Sequence, residues 1–172
     1  MCKMKDWKAK TVPRQTLIEI LEELNISYEQ IEHPPVYTSE QARQFVPANQ
    51  GAPAKNLFLR DKKGKRHFLV MLNDSKDLDL AALAQQTGST RLSLASSDRL
   101  HRYLGIEPGA VSPLALINDP DRKVELWIDQ DLWQADSIQC HPLVNTATWI
   151  LTPTGLTSFL QQTGHPIHFF TT

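Results

Sequence analysis

The stretch AKNLFLRDKKGKRHFLVML, residues 54–72, limits the folds open to this chain more than any other. Two apolar runs flank the charged centre Lys62-Lys63-Gly64-Lys65, where Gly64 can supply the positive φ of a tight reversal. Each run has strand length and is bounded by polar residues. The pattern predicts an antiparallel hairpin, its second strand over 67–72. Lys55 stands where the first, buried strand begins. Positions beside a core rarely accept an ammonium group. Lys55 is therefore either a solvated strand end or a cation facing a ligand of negative charge.

The remaining pattern interleaves short strands with short helices. Leu17, Ile18, Leu21 and Leu24 recur at helical spacing, and Asn25 offers a stop. A short strand is predicted over 28–31. HPPVYTSEQARQF then reads as a proline-rich loop followed by a helix capped at Thr38 or Ser39, with Thr38-Ser39-Glu40-Gln41 as a capping box. Leu78, Leu80 and Leu83 predict a helix closed near Gly88, and 91–94 is strand-like. Ser96-Ser97-Asp98 caps a helix ending at Leu104-Gly105. LGIEPGAVSPLALIND reads as a punctuated loop leading into a short strand that ends at Asn118-Asp119. A strand over 124–128, a short helix or turn over 129–133, and strands at 138–140 and 148–151 complete the sheet. Thr152-Pro153 fits the N-cap and first position of a final helix reaching Gln162. The expected class is α/β (mixed α+β): one domain over 14–172, a central mixed sheet surrounded by helices, behind a basic lead-in over 1–13.

Bulk properties exclude some partners. With 172 residues, 41% hydrophobic and 22% charged, the chain has the make-up of a soluble single domain. A formal net charge of −1 gives no global attraction for nucleic acid, so any such contact needs a local patch. Lys3, Lys5, Lys8 and Lys10 form one candidate patch, and Lys62, Lys63, Lys65 and Arg66 a second. Cys2 and Cys140 have no disulfide-framework spacing, which suits a reducing compartment. MCKMKDWKAK lacks the apolar stretch of a secretory signal, and no run approaches the ~20 apolar residues of a membrane span. A cytoplasmic protein with no membrane or DNA partner is expected. Cys140-His141 and His165/His168 lack the paired spacing of a zinc site, so neither metal nor cofactor is expected.

Four features at predicted strand ends could carry chemistry: Lys55, the GAVSP loop at 109–113, Asn118-Asp119 and His141-Pro142. Singly, each is weak and reads first as a solvated charge, a tight turn, a turn former and a capped or packed histidine. As a set in order, AKNLFLRDKKGKRHFLVML, LGIEPGAVSPLALIND and HPLVNTATWILTPTGLTSFLQQTGHP resemble the YbaK/ProX family of aminoacyl-tRNA deacylases, over roughly residues 14–170. The likeness points to its freestanding prolyl-tRNA editing members, which hydrolyse mischarged Ala-tRNA(Pro).

The resemblance implies a single mixed α/β domain, related to the editing insertion of bacterial prolyl-tRNA synthetase and acting in trans. It places the family lysine on Lys55, the loop glycine and proline on Gly109 and Pro113, the asparagine on Asn118 and the late histidine on His141. It also places His33, Val36 and Thr38, from HPPVYT, in the wall of the aminoacyl pocket. Lys55 would orient a terminal phosphate or the ribose. The backbone of Gly109, Ala110, Val111 and Ser112 would turn N–H groups to an oxyanion, with Pro113 fixing the loop's exit. Asn118 would hold the α-amino group or a water, and His141 would order the pocket. Water is the implied nucleophile, assisted by the free hydroxyl of the terminal ribose, and a small pocket selects by size. The implied partners are the acceptor end of tRNA(Pro) and prolyl-tRNA synthetase. The alternative is a tRNA- or synthetase-associated binding module with the same pocket and no turnover.

Overall fold

The computed structural model describes residues 11–172, so most of the basic lead-in, with Cys2 and its lysines, lies outside the described residues. The expected hairpin is formed by β2 (Ala54–Arg60) and β3 (His67–Asn73), paired antiparallel from Ala54↔Asn73 to Arg60↔His67. Gly64 turns it at φ 66°, and Asp61 locks the reversal by accepting the Lys65 N–H at 2.7 Å and the Arg66 N–H at 3.1 Å.

β3 is the centre of the molecule. Phe68, Val70 and Leu72 enter one apolar cluster with Leu83 and Phe170, while Leu69 and Met71 enter a larger one with Leu17, Leu126, Trp149 and Phe159. A strand apolar at every position from Phe68 to Leu72 is thereby buried on both faces. Parallel to β3 runs β5 (Val124–Asp129), and parallel to β5 runs β8 (Ile167–Phe170). On the other side β2 pairs with the two-residue β4 (Ser93–Leu94). The result is a five-stranded mixed sheet in the order β4-β2-β3-β5-β8.

The single expected sheet is in fact two. β1 (Glu29–Glu32), β7 (Ala147–Leu151) and β6 (Ile138–Cys140) form a separate three-stranded antiparallel sheet in the order β1-β7-β6. A bridge between Ala52 and Ile138 joins the two, and Gln139 Nε2 reinforces the seam by donating to the carbonyls of Pro47, Gln50 and Gly51.

The helices follow their signals. α1 (Arg14–Glu23) stops where Asn25 takes φ 55°. α2 (Ser39–Arg43) is capped by Thr38, whose Oγ1 accepts the Gln41 N–H at 3.2 Å, while Gln41 Oε1 accepts from the Tyr37 N–H at 2.8 Å. α3 (Leu80–Thr87) and α4 (Ser97–Leu104) each end on a left-handed glycine, α5 (Gln130–Trp133) is a single turn, and α6 (Pro153–Thr163) starts behind Thr152.

Residues 113–118 depart from expectation. They form a 3-10 helix, Pro113–Asn118, capped by Ser112, whose Oγ accepts the Leu114 N–H at 3.2 Å. Pro113, Leu114, Ala115 and Leu116 are consecutively buried, so the run is enclosed all round and has no second, solvent-facing side. Among the described residues no helix is long and apolar enough to cross a membrane.

Candidate active site

A cleft of about 280 Å³ opens where the two sheets meet. β4 covers β2 only at Leu59 and Arg60, so the outer edge of 54–57 is left without a strand partner. That bare edge forms one wall. Val36, Thr38 and α2 form a second, the end of β6 with His141 and Thr148 a third, and Gly109 with Val111 a fourth.

Lys55 lines this cleft with a quarter of its side chain exposed, and its closest ion partner, the fully exposed Asp77, is 3.9 Å away. An exposed pair at that distance contributes little, so the charge is available to a ligand. Beside it, Asn56 has a buried Oδ1 with no hydrogen-bond partner. An unmet buried amide oxygen costs about 1–3 kcal/mol. Arg43, also in the wall, is engaged: its Nε donates to the buried carboxylate of Asp74 at 2.6 Å, which raises its pKa.

Gly109 has φ 92°, a conformation costly for any side chain. A Cβ there would lie 3.1 Å from the Val36 carbonyl oxygen. The same carbonyl accepts from Asn145 Nδ2 at 3.0 Å, and the Val36 N–H donates to the Asn145 carbonyl at 3.1 Å. The glycine loop is thus wedged against a braced segment. The Ala110 N–H is spent on the Glu107 carbonyl at 3.1 Å. The Gly109 and Val111 N–H groups have no hydrogen bond among the described residues. Ala110, Ser112 and Pro113 are buried behind the cleft wall, Ser112 as the helix cap.

The histidine wall is a relay of fixed orientations. His141 Nδ1 donates to the Ala147 carbonyl at 3.2 Å, which leaves Nε2 as the acceptor nitrogen. Burial, and secondarily the neighbouring His33, lowers its pKa, so the ring is neutral at pH 7. His33 stands behind the cleft: Nδ1 donates to the Pro34 carbonyl at 2.8 Å, and Nε2 meets Thr148 Oγ1 at 2.9 Å. Thr148 carries that contact to the cleft surface. Cys140 also reaches the wall, but burial pushes its thiol up to about 12, which removes it as a nucleophile at neutral pH.

The structure brings together Lys55, Val36, Thr38, Gly109, Val111 and His141, with His33 one contact behind. It does not bring Asn118 there. The Asn118 amide is buried, donating to the Leu104 carbonyl at 2.9 Å and accepting the Val12 N–H at 3.0 Å, in the wall of a different pocket with Arg102, Asp119 and Lys123. The expected substrate contact from Asn118 is replaced by a structural one, because the 3-10 helix turns it toward α4. Asn56, Asn145, Gln139 and Thr148 were not singled out by sequence. Asn56 alone carried a usable signal, as the polar residue inside an apolar strand. Of the second basic group, Arg66 is committed to Glu125 through two contacts of 2.9 Å. Among the described residues no group of three His, Cys, Asp or Glu side chains could hold a metal ion.

The prolyl-tRNA editing protein ProX of Acetoanaerobium sticklandii is 41% identical over 152 residues, spanning 88% of this chain and 93% of that protein. The prolyl-tRNA synthetase associated domain-containing protein 1 of Danio rerio is 40% identical over 154 residues, spanning 88% and 83%. A crystal structure described as a candidate trans-editing enzyme for prolyl-tRNA synthetase superposes with a TM-score of 0.68 at 21% identity, covering 94% of this chain and 99% of that one, and so shares the fold. A model of the aminoacyl-tRNA editing domain matches residues 33–159, the span that holds every wall of the cleft, and the chain belongs to that family.

Proposed function

We propose that the chain hydrolyses the ester linking a small, wrongly attached amino acid to tRNA, with Ala-tRNA(Pro) as preferred substrate and prolyl-tRNA synthetase as the enzyme whose errors it removes. The observation that carries this reading is the pair of N–H groups at Gly109 and Val111, without a partner among the described residues, on a loop that lines the same small cleft as Lys55. Two such donors suit the oxyanion that forms as an ester carbonyl is attacked. The names of the relatives support the choice of tRNA and synthetase.

The step is a hydrolysis. A water oxygen bonds to the carbonyl carbon, the Gly109 and Val111 N–H groups hold the developing O⁻, and the carbon–oxygen bond to the ribose then breaks. The departing ribose oxygen takes a proton, and the free amino acid leaves. Cys140 is too basic to attack, and His141 is held neutral by burial. The neighbouring ribose hydroxyl of the substrate orients the water, while His141 shapes the wall. Lys55 positions the terminal phosphate or ribose. Val36 and Val111 set the width. One methylene is worth only about 1–3 kcal/mol in an apolar pocket, so alanine is separated from proline mainly by exclusion.

The test is deacylation of Ala-tRNA(Pro), Pro-tRNA(Pro) and an Ala-tRNA(Pro) whose terminal ribose lacks the free hydroxyl. Rapid cleavage of the first alone is expected, with the deoxy substrate slowed by about 10²–10⁴-fold. Equal cleavage of the deoxy substrate, together with an inactive His141→Ala, would make His141 the base. Binding with no cleavage of any aminoacyl-tRNA would leave a binding module.

A further inference from the structure

Tyr37 is the most exposed of the large hydrophobic side chains among the described residues, at 68%. A single exposed aromatic needs no explanation by itself. Its placement does. It lines the rim of the cleft, and its backbone is fixed by the 2.8 Å bond from its N–H to Gln41 Oε1. Its ring flanks Gly109: Cδ1 is 3.4 Å from where a Cβ on that glycine would be. One edge of the ring thus rests on the Gly109 loop while most of its surface faces water.

We infer that Tyr37 is the stacking platform for the terminal adenine of the substrate's acceptor end. The inference rests on the ester-hydrolase reading, because the ester fixes where the base must go. With the ester carbon at Gly109, the terminal ribose lies at the cleft mouth. The base is carried by the same ribose, so it emerges within one sugar of Gly109, and Tyr37 is the aromatic that borders Gly109 there. Charge alone does not hold this end. Arg43 is bound to Asp74, Arg66 to Glu125, and the net charge of the chain is −1. An aromatic face adds affinity that needs no cation and accepts any base. Tyr37 therefore grips an end common to all tRNAs, and discrimination between tRNAs lies elsewhere.

Two measurements test this. In the first, KM and kcat are compared for Ala-tRNA(Pro) and for the same substrate with an abasic terminal nucleotide. Base–aromatic stacking predicts that Tyr37→Ala raises KM for the intact substrate by about 5- to 150-fold, with kcat far less affected. Tyr37→Phe should match the wild type. On the abasic substrate Tyr37→Ala and wild type should coincide. The second measurement needs no turnover: uncharged tRNA(Pro) carrying 2-aminopurine as its terminal base is titrated with protein. Fluorescence quenching is expected with wild type and Tyr37→Phe and lost with Tyr37→Ala. An equal KM penalty on intact and abasic substrates, or a 2-aminopurine signal indifferent to Tyr37, overturns the inference. Quenching that depends on Tyr37 in a protein that cleaves no aminoacyl-tRNA keeps the platform and defeats the hydrolase reading instead.

Discussion

Replacing Gly109 by alanine puts the oxyanion assignment under direct strain. The residue sits at φ 92°, and the added methyl would meet the Val36 carbonyl oxygen at 3.1 Å, tighter than ordinary van der Waals contact. Val36 cannot yield freely, since Asn145 holds both its N–H and its carbonyl. If the backbone keeps its conformation, the strain costs about 1–3 kcal/mol, a Tm lower by roughly 2–12 °C in a chain of this size. If it relaxes to negative φ, the Gly109 N–H turns away, and loss of one such donor costs about 10²–10³-fold in kcat. Deacylation of Ala-tRNA(Pro) and a thermal melt, run on one preparation, separate the two. The expected result is a modest Tm loss with a kcat reduced at least 10²-fold. Ser112→Ala is the control. It removes the cap of the 3-10 helix, costs about 0.5–2 kcal/mol, and leaves kcat near wild type. A Gly109→Ala protein with lowered Tm and full kcat would show that this N–H plays no part in the reaction.

Lys55→Ala should abolish most deacylation while the melt stays within about 1 kcal/mol of wild type, because the side chain's ion partner is a loose 3.9 Å contact with Asp77; unchanged turnover would make it a solvated charge. Asn118→Ala should do the reverse: loss of its bonds to the Leu104 carbonyl and Val12 N–H destabilises by about 1–3 kcal/mol, read by urea denaturation, with kcat/KM of the remaining folded protein unchanged. Stability should also fall in acid through His67. Burial, and next the Arg99 guanidinium that donates to its Nε2 at 2.9 Å, lower its pKa from 6.5 to about 4. The unfolded chain takes up this proton first, so the contribution is complete above pH 6.5 and is lost as pH falls toward 4, by roughly 3 kcal/mol. His67→Gln, which keeps an acceptor for Arg99, should flatten that part of the urea-denaturation profile, and an unflattened profile would place the titration elsewhere.

What the sequence discloses is what is local. The β2–β3 hairpin, its glycine turn and the helix caps at Thr38, Ser96 and Thr152 all lie within a few residues of their partners. The division into two sheets depends on β1 meeting β7, more than a hundred residues later, and nothing in either strand announces that partner. Residues 113–118 read as a loop and strand because an apolar run buried on all sides has neither a twofold nor a 3.6-fold period; the Ser112-Pro113 start is the local mark of the helix. With the element wrong, Asn118 was expected in the cleft. β8 escaped notice because a short parallel edge strand has no turn to mark it. Lys55, Gly109 and His141 line the cleft, as the resemblance leads one to expect, whereas Asn56 is marked in the sequence only as a polar residue inside an apolar strand, a signal that says nothing of its buried, unmet carbonyl oxygen.

The cleft's walls come from segments that leave the ribosome far apart in time. Val36 and Thr38 are made early, but the groups that brace them, Asn145 and the Thr146 carbonyl that receives the His33 N–H, are made near the end. Until β7 exists, both sides of β1 lack a strand partner, and bare edges recruit other chains. Pairing across such a separation is also slow compared with closing a hairpin. The β2–β3 hairpin can therefore pair well before the cleft is complete. The cleft is whole only when residues up to Thr148 have been made, and a message truncated before residue 147 would leave it without β7.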